Sequence, residues 1–154
     1  EAQRLGMLMD VSHLSDEGFW DIMEITNAPV LATHSNSRAV WDSSRNLTDD
    51  MFRAIAETGG VAGINLYESF LGEEGKTSID TVCDHIFHFL ELDPAGKHVA
   101  LGGDLDGVSK MPAGFEGVQS WPVLAECLLQ RGLDENMVMD IFWNNGLGVM
   151  DRAV

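Results

Sequence analysis

The sequence predicts an α/β fold built on a parallel sheet, and three observations carry that reading. Four short runs rich in Val, Leu, Ile, Met and Ala have the length of strands, and segments with helical spacing of apolar residues separate them. The runs also lack the apolar-polar alternation of a sheet with one wet face, as strands covered on both sides do. Alternation of strand and helix along the chain implies parallel strands joined by right-handed crossovers.

The first run is Met7 to Val11. Ser15-Asp16-Glu17 follows, an N-cap and an acidic first turn ahead of the amphipathic Phe19, Trp20, Ile22 and Met23. Pro29 to Thr33 is the second run. Thr48, Asp49 and Asp50 repeat the capping device, and Phe52, Ile55 and Ala56 fall at helical spacing until Gly59-Gly60 stops them. Val61 to Leu66 is the third run, and the long helical pattern from Ser78 to Leu92 ends at Pro94 and Gly96. His98 to Leu101 is the fourth. Two helices close the chain, Pro122 to Gln130 before Gly132 and Asp134 to about Met150, so the order is βαβαβαβαα.

Composition narrows the function. The chain has 154 residues, 45% apolar and 22% charged, the composition of a globular segment with a real core. With 25 acidic against 9 basic side chains its formal charge is −16, which argues against nucleic acid and anionic membrane surfaces as partners. No apolar run approaches the roughly 20 residues that cross a bilayer. Cys83 and Cys127 lie in helical patterns, where small buried thiols are expected and no disulfide framework is indicated.

In parallel α/β folds functional groups gather past the carboxyl ends of the strands. Asp10-Val11-Ser12-His13 follows the first strand and Ala32-Thr33-His34-Ser35-Asn36 the second. On neighbouring strands about 4.8 Å apart, His13 and His34 could reach one ion, and imidazole is a common zinc ligand. His85, His88 and His98 sit in a helix and before a strand, where packing or structural hydrogen bonds are expected.

The fourth strand ends in Leu101-Gly102-Gly103-Asp104-Leu105-Asp106-Gly107. Asp104 emerges at the same rim, either as a general base and acid or as a loop aspartate closing a turn, and Asp106 is expected to hold the loop by an Asx-type bond. Arg38 and Arg45 lie in the loop after His34. Arg45 either grips a substrate carboxylate with parallel hydrogen bonds or pairs with a surface acid. Tyr67, at the end of the third strand, is a candidate substrate contact or a partly buried aromatic.

Met9-Asp10-Val11-Ser12-His13, Ala32-Thr33-His34-Ser35-Asn36, Ser44-Arg45-Asn46-Leu47, Gly63-Ile64-Asn65-Leu66-Tyr67 and Gly102-Gly103-Asp104-Leu105-Asp106-Gly107, in that order and spacing, resemble the membrane (renal) dipeptidase family of zinc metallopeptidases. The resemblance covers nearly the whole chain. It implies a (β/α)8 TIM-type barrel, related to the amidohydrolases, that hydrolyses dipeptides, and in some members β-lactams, at a site of two zinc ions. It further implies that His13 and His34 bind the second zinc, that Arg45 holds the dipeptide's C-terminal carboxylate and that Asp104 is the acid/base residue.

The family's remaining ligands are a His-x-Asp pair on the first barrel strand and a bridging glutamate, with a substrate-polarising histidine on the fourth. All are expected to precede Glu1. Residues 1–154 are therefore expected to form the C-terminal half of a barrel, a segment incomplete for catalysis. Its open strand edges and uncovered inner face are expected to pair with the missing half or with a second copy. The family's ending Gly-Gly-Asn-x-x-Arg stands here as Asn144-Asn145 with Asn145 matching, Gly146 following and no arginine at the last place.

Two other readings compete with a dipeptidase. A folded half-barrel that turns nothing over is the non-catalytic one. Asp104-Leu105-Asp106-Gly107-Val108 also resembles the first motif of haloacid-dehalogenase-type phosphotransferases, but the short remainder reads as helices where that fold needs most of its sheet.

Overall fold

The computed structural model describes residues 1–153. Strands β1 (Met9–Asp10), β2 (Val30–Ala32), β3 (Val61–Asn65) and β4 (Val99–Gly103) form one sheet in sequence order, every pair parallel. Helices α1 (Asp16–Ile25) and α2 (Asp49–Glu57) follow β1 and β2. After β3 come a single turn, α3 (Glu68–Leu71), which apolar spacing does not predict, and then α4 (Ile79–Leu92). After β4 come α5 (Trp121–Gln130), α6 (Glu135–Met139) and α7 (Asn145–Ala153), the last two joined by a π-helical turn over Asp140–Asn144.

The helix starts are built by the expected caps. Ser15 Oγ accepts from the Gly18 N–H at 3.2 Å and Thr48 Oγ1 from the Met51 N–H at 3.2 Å. Ser78 and Thr81 form a capping box at the head of α4. Each cap satisfies an N–H that the helix leaves unpaired, a contribution of about 1 kcal/mol.

Strand register assigns the two faces of the sheet. Leu31 pairs with Val61, Ala62 with Val99 and Gly63 with Ala100, and register partners share a face. Val11, Val30, Ala32, Ala62, Ile64 and Val99 point toward the helices and are buried with Phe19, Phe52, Ile55, Ile86, Phe89 and Leu124. Within that layer Phe52 of α2 and Phe89 of α4 stack at 4.3 Å with planes 6° apart.

The opposite face carries Leu31, Val61 and Ala100, and it is not left bare. Val149 of α7, fully buried, packs on Val61 and Ala100, and Gly146 and Met150 line a crevice of about 270 Å³ against the same strands. The expectation of an uncovered inner face is corrected at this lower end. The cause is local: Asn145 Nδ2 donates to the carbonyls of Gly96 and Val99, each at 2.7 Å, pinning the start of α7 to β4 just after the π turn. The single helix expected from Asp134 is thus redirected midway. Among the described residues β1 and β4 each pair on one side only.

The sheet is also strongly curled. A Cβ at Gly102 would lie 1.9 Å from the Thr33 carbonyl, two strands away, so only glycine permits that approach.

Candidate functional site

Parallel pairing of β1 and β2 delivers the two rim histidines to each other. Their Nε2 atoms stand 2.9 Å apart, with ring centroids 4.9 Å apart and planes tilted 60°. Behind them lies a network that sequence spacing does not disclose. Asp10 Oδ1 accepts from the Ser12 N–H at 3.1 Å, the Ser12 hydroxyl at 2.9 Å and the Thr33 N–H at 3.0 Å. Asp10 Oδ2 accepts from the Thr33 hydroxyl at 2.6 Å, and the Thr33 oxygen lies 2.8 Å from His34 Nδ1.

That chain sets a tautomer. Because the Thr33 proton goes to Asp10, its oxygen accepts from His34 Nδ1–H, which leaves His34 Nε2 with a free lone pair. Burial pushes the His34 imidazole below its ordinary pKa, against the pull of the Asp104 and Asp10 carboxylates, so the neutral, ligating form is favoured. Burial also works to raise Asp10, but the hydrogen bonds from Thr33 and Ser12 outweigh it and hold the carboxyl below its usual value.

Asp104 reaches the rim through an irregular strand end. The β3–β4 register shifts at Asn65, which pairs with Gly103, and Gly103 and Asp104 both take left-handed conformations, φ 78° and 61°. Among the described residues Asp104 is the one non-glycine with positive φ, a strained placement of the kind found at functional sites. Its Oδ2 accepts from Asn65 Nδ2 at 3.2 Å, and a Cβ on Gly107 would fall 2.2 Å from its Oδ1. The turn itself closes through Gly107 N–H to the Asp104 carbonyl at 3.0 Å, while Asp106 is exposed, so the loop-holding bond expected of Asp106 comes from the Asp104 backbone instead.

The two loop arginines part company. Arg38 is committed to Asp16, with nitrogen-oxygen distances of 2.7 and 2.8 Å, and to the Asn46 carbonyl. Arg45 instead turns toward β1: its Nε and Nη2 donate to the Ser12 carbonyl at 3.2 and 2.8 Å, and its guanidinium lies 5.0 Å from the Phe70 ring centre. Buried Asn46 shapes this loop by donating to the carbonyls of Trp41 and Phe70. Tyr67 meets the same Phe70 edge-on at 4.9 Å, and the hydroxyls of Ser69 and Ser109 hold its phenol below its ordinary pKa. Tyr67 and Arg45 thus both pack on Phe70.

The remaining histidines are structural, as expected. His85 is buried, accepting from the Ser37 N–H at 3.1 Å and donating to the Leu71 carbonyl at 2.9 Å. His88 meets Asp49 at 2.8 Å and His98 meets the Gly60 carbonyl at 2.8 Å. Among the described residues no three His, Cys, Asp or Glu side chains converge as a metal cluster, so the two imidazoles fall short of the three or four ligands zinc takes.

Residues 1–154 match the model of the membrane dipeptidase family, peptidase family M19. The chain belongs to that family. An uncharacterized dipeptidase of Schizosaccharomyces pombe is 37% identical over 150 residues, covering 97% of this chain and 37% of the relative. Dipeptidase 3 of Macaca fascicularis is 34% identical over 153 residues, 99% of this chain and 31% of the relative. The crystal structure of a metallopeptidase from Rhodobacter sphaeroides, liganded with a phosphinate mimic of the dipeptide L-Ala-D-Ala, superposes with a TM-score of 0.91 at 35% identity, over 99% of this chain and 44% of that one. The chain thus spans about a third of these two curated relatives and under half of that solved one. Membrane dipeptidases are metallopeptidases of TIM-barrel type, and the four parallel strands with their helices fit that fold.

Proposed function

We propose that this chain supplies the second half of a zinc-dependent dipeptidase barrel, and that the convergence of His13 and His34 at a rim shared with Asp104 and Arg45 is the observation that carries this reading. The donor set fits part of a metal site: two imidazole nitrogens meet, one of them fixed as the free-lone-pair tautomer by Thr33. Zinc held there would supply a Lewis acid and lower the pKa of water.

The chain's own residues do the rest. Arg45 presents the unshared edge of its guanidinium to a dipeptide's C-terminal carboxylate, while its bonds to the Ser12 carbonyl and its seat on Phe70 fix the approach. Asn65 anchors Asp104 Oδ2, leaving Oδ1 to accept a proton from the attacking water and return it to the departing amine. Tyr67 forms a wall of the substrate space beside Phe70. The bound phosphinate dipeptide mimic in the Rhodobacter sphaeroides relative supports a dipeptide as the substrate class.

The test is hydrolysis of simple L-dipeptides by a protein that joins residues 1–154 to the first half of the barrel. Asp104→Asn, which keeps a residue type tolerant of the left-handed turn, is expected to lose about 10²- to 10⁴-fold in rate, and His34→Ala to abolish turnover. Full activity in either variant would sink the assignment.

The shortage of ligands among the described residues favours a second reading, for residues 1–154 taken alone. As a separate unit they would bind zinc weakly, turn over nothing, and complete the site by pairing their open β1 and β4 edges with the rest of a barrel or with a second copy. Stoichiometric, tight zinc binding by that unit as a monomer, measured by calorimetry, would exclude this reading.

A further inference from the structure

Away from the rim, on the helical exterior, two thiols face each other across the seam between α4 and α5. Cys83 is fully buried on α4, Cys127 is half-buried on α5, and their Sγ atoms are 2.9 Å apart. Non-bonded carbon atoms rest at about 3.5–4.0 Å, and sulfur is the larger atom. Nothing stands between the two. The groups around them are few and polarised: Asp80 Oδ1 lies 3.5 Å from Cys127 Sγ, and Arg131, one helical turn beyond Cys127, donates to the Asp80 carbonyl at 3.1 Å and to Asp84 Oδ1 at 2.7 Å while covering the Phe87 ring.

We propose that Cys83 and Cys127 form a redox-modification site that reacts with a low-molecular-weight disulfide of the glutathione type and ends as an intramolecular disulfide joining α4 to α5. Nothing in the dipeptidase reading uses either thiol. Exposure and chemistry assign the order of events. Cys127 is the accessible sulfur, and the Arg131 guanidinium lies on the same side of the seam.

The Cys127 thiolate attacks one sulfur of the oxidant, whose S–S bond breaks; a mixed disulfide forms on Cys127 and the first thiolate leaves, taking up the proton that Cys127 gave up. Burial beside the second sulfur pushes the Cys83 thiol far up, so it stays protonated and inert until that stage. Cys83 then loses its proton to the departing group as its sulfur attacks Cys127 Sγ, and the second small thiol is expelled. Two protein thiols and one small disulfide become one protein disulfide and two small thiols, so electrons and protons balance.

The bond would close a loop from residue 83 to residue 127 that contains β4 and Asp104. Closing a loop of that size reduces the freedom of the unfolded chain, and a gain of about 5–10 °C in Tm is expected.

The test equilibrates the full chain with graded mixtures of glutathione disulfide and glutathione, blocks free thiols with iodoacetamide, and maps unreduced peptides by mass. The expected result is a peptide pair linked through Cys83 and Cys127 that separates on reduction, together with the rise in Tm. Cys83→Ala is expected to stop at a Cys127 glutathione adduct, and Cys127→Ser to leave Cys83 unmodified in the folded protein, neither variant gaining Tm. A wild-type protein that accumulates the adduct without the cross-link, or keeps both thiols free at high oxidant ratio, overturns the proposal. Because wild-type mapping alone decides it, poor folding of a variant does not rescue it.

Discussion

The two faces of the sheet differ in what the chain itself completes. The helix-side face is finished within these residues: Val30, Ala32, Ala62, Ile64 and Val99 are fully buried against α1, α2, α4 and α5. The other face divides along its length. Its lower end is sealed by Val149 of α7, while its upper end holds Asp10, Thr33, Asn65 and the glycines that let the strands curl. Hydrophobic burial needs only area and closes wherever a chain can fold back, whereas a ligand set needs particular atoms in particular places. Stability and the proposed chemistry therefore sit on opposite sides of one sheet, and substitutions on each side should report separately.

The largest effect is expected on the helix side. Phe89→Ala removes one ring of the Phe52 stack and leaves a cavity between α2 and α4, at a cost of about 3–5 kcal/mol in urea unfolding. Under the proposed function, dipeptide hydrolysis per folded molecule of the completed barrel should be unchanged; loss of that rate would show that the two faces are coupled.

Next is Thr33→Val, which keeps the shape of the rim but removes the acceptor for His34 Nδ1–H and one donor to Asp10. Metal affinity measured by competition with a chelator should fall by about 10- to 100-fold, with little change in Tm. An unchanged affinity would mean that Thr33 does not orient the imidazole.

Gly107→Ala sharpens the contrast further. Its backbone conformation is not left-handed, so alanine fits the chain, but the new Cβ would displace the Asp104 carboxylate. If Asp104 carries the proton as proposed, a fall in kcat of about tenfold or more follows from its displacement, and a normal kcat would argue against that role.

The smallest effect is one of pH. Burial holds the His85 imidazole below its ordinary pKa, so the folded protein keeps it neutral while the unfolded chain protonates it below about pH 6.5. Its contribution to stability is complete above that value and declines as pH falls through it. His85→Gln can still accept from the Ser37 N–H and donate to the Leu71 carbonyl, and should show a shallower loss of stability between pH 7.5 and 5.5 than the wild type. An identical slope would remove His85 from the acid sensitivity.

Much of the fold was legible because its signals are local. Ser15, Thr48 and Ser78 cap helices where acidic first turns and apolar spacing place them, and each of the four apolar runs overlaps a strand. The first three strands are shorter than their runs because hydropathy marks burial, while a strand also needs a neighbour for its backbone; β4 instead continues through Gly102 and Gly103, which carry no apolar signal. The rim was half legible. His13, His34, Asp104 and Arg45 could be chosen by chain position after strands and by the motifs they stand in, but whether Arg45 pairs with a surface acid was open, and only the fold shows that it bonds the Ser12 carbonyl while Asp16 claims Arg38. Asp10 stood in a quoted motif with no role assigned, since its partner Thr33 lies 23 residues away.

By itself the sequence determined the α/β class, the order of elements, the helix starts and the family, because each rests on periodicity, capping chemistry or residues read in order. Only the tertiary structure decided that α7 folds onto the inner face, that Asp10 and Thr33 fix the tautomer of His34, that a register shift turns Asp104 into the left-handed region, and that Cys83 meets Cys127. The physical reason is common to all four. Each depends on atoms brought together across strands or helices by packing and register, and those distances are properties of the assembled fold rather than of any stretch of chain.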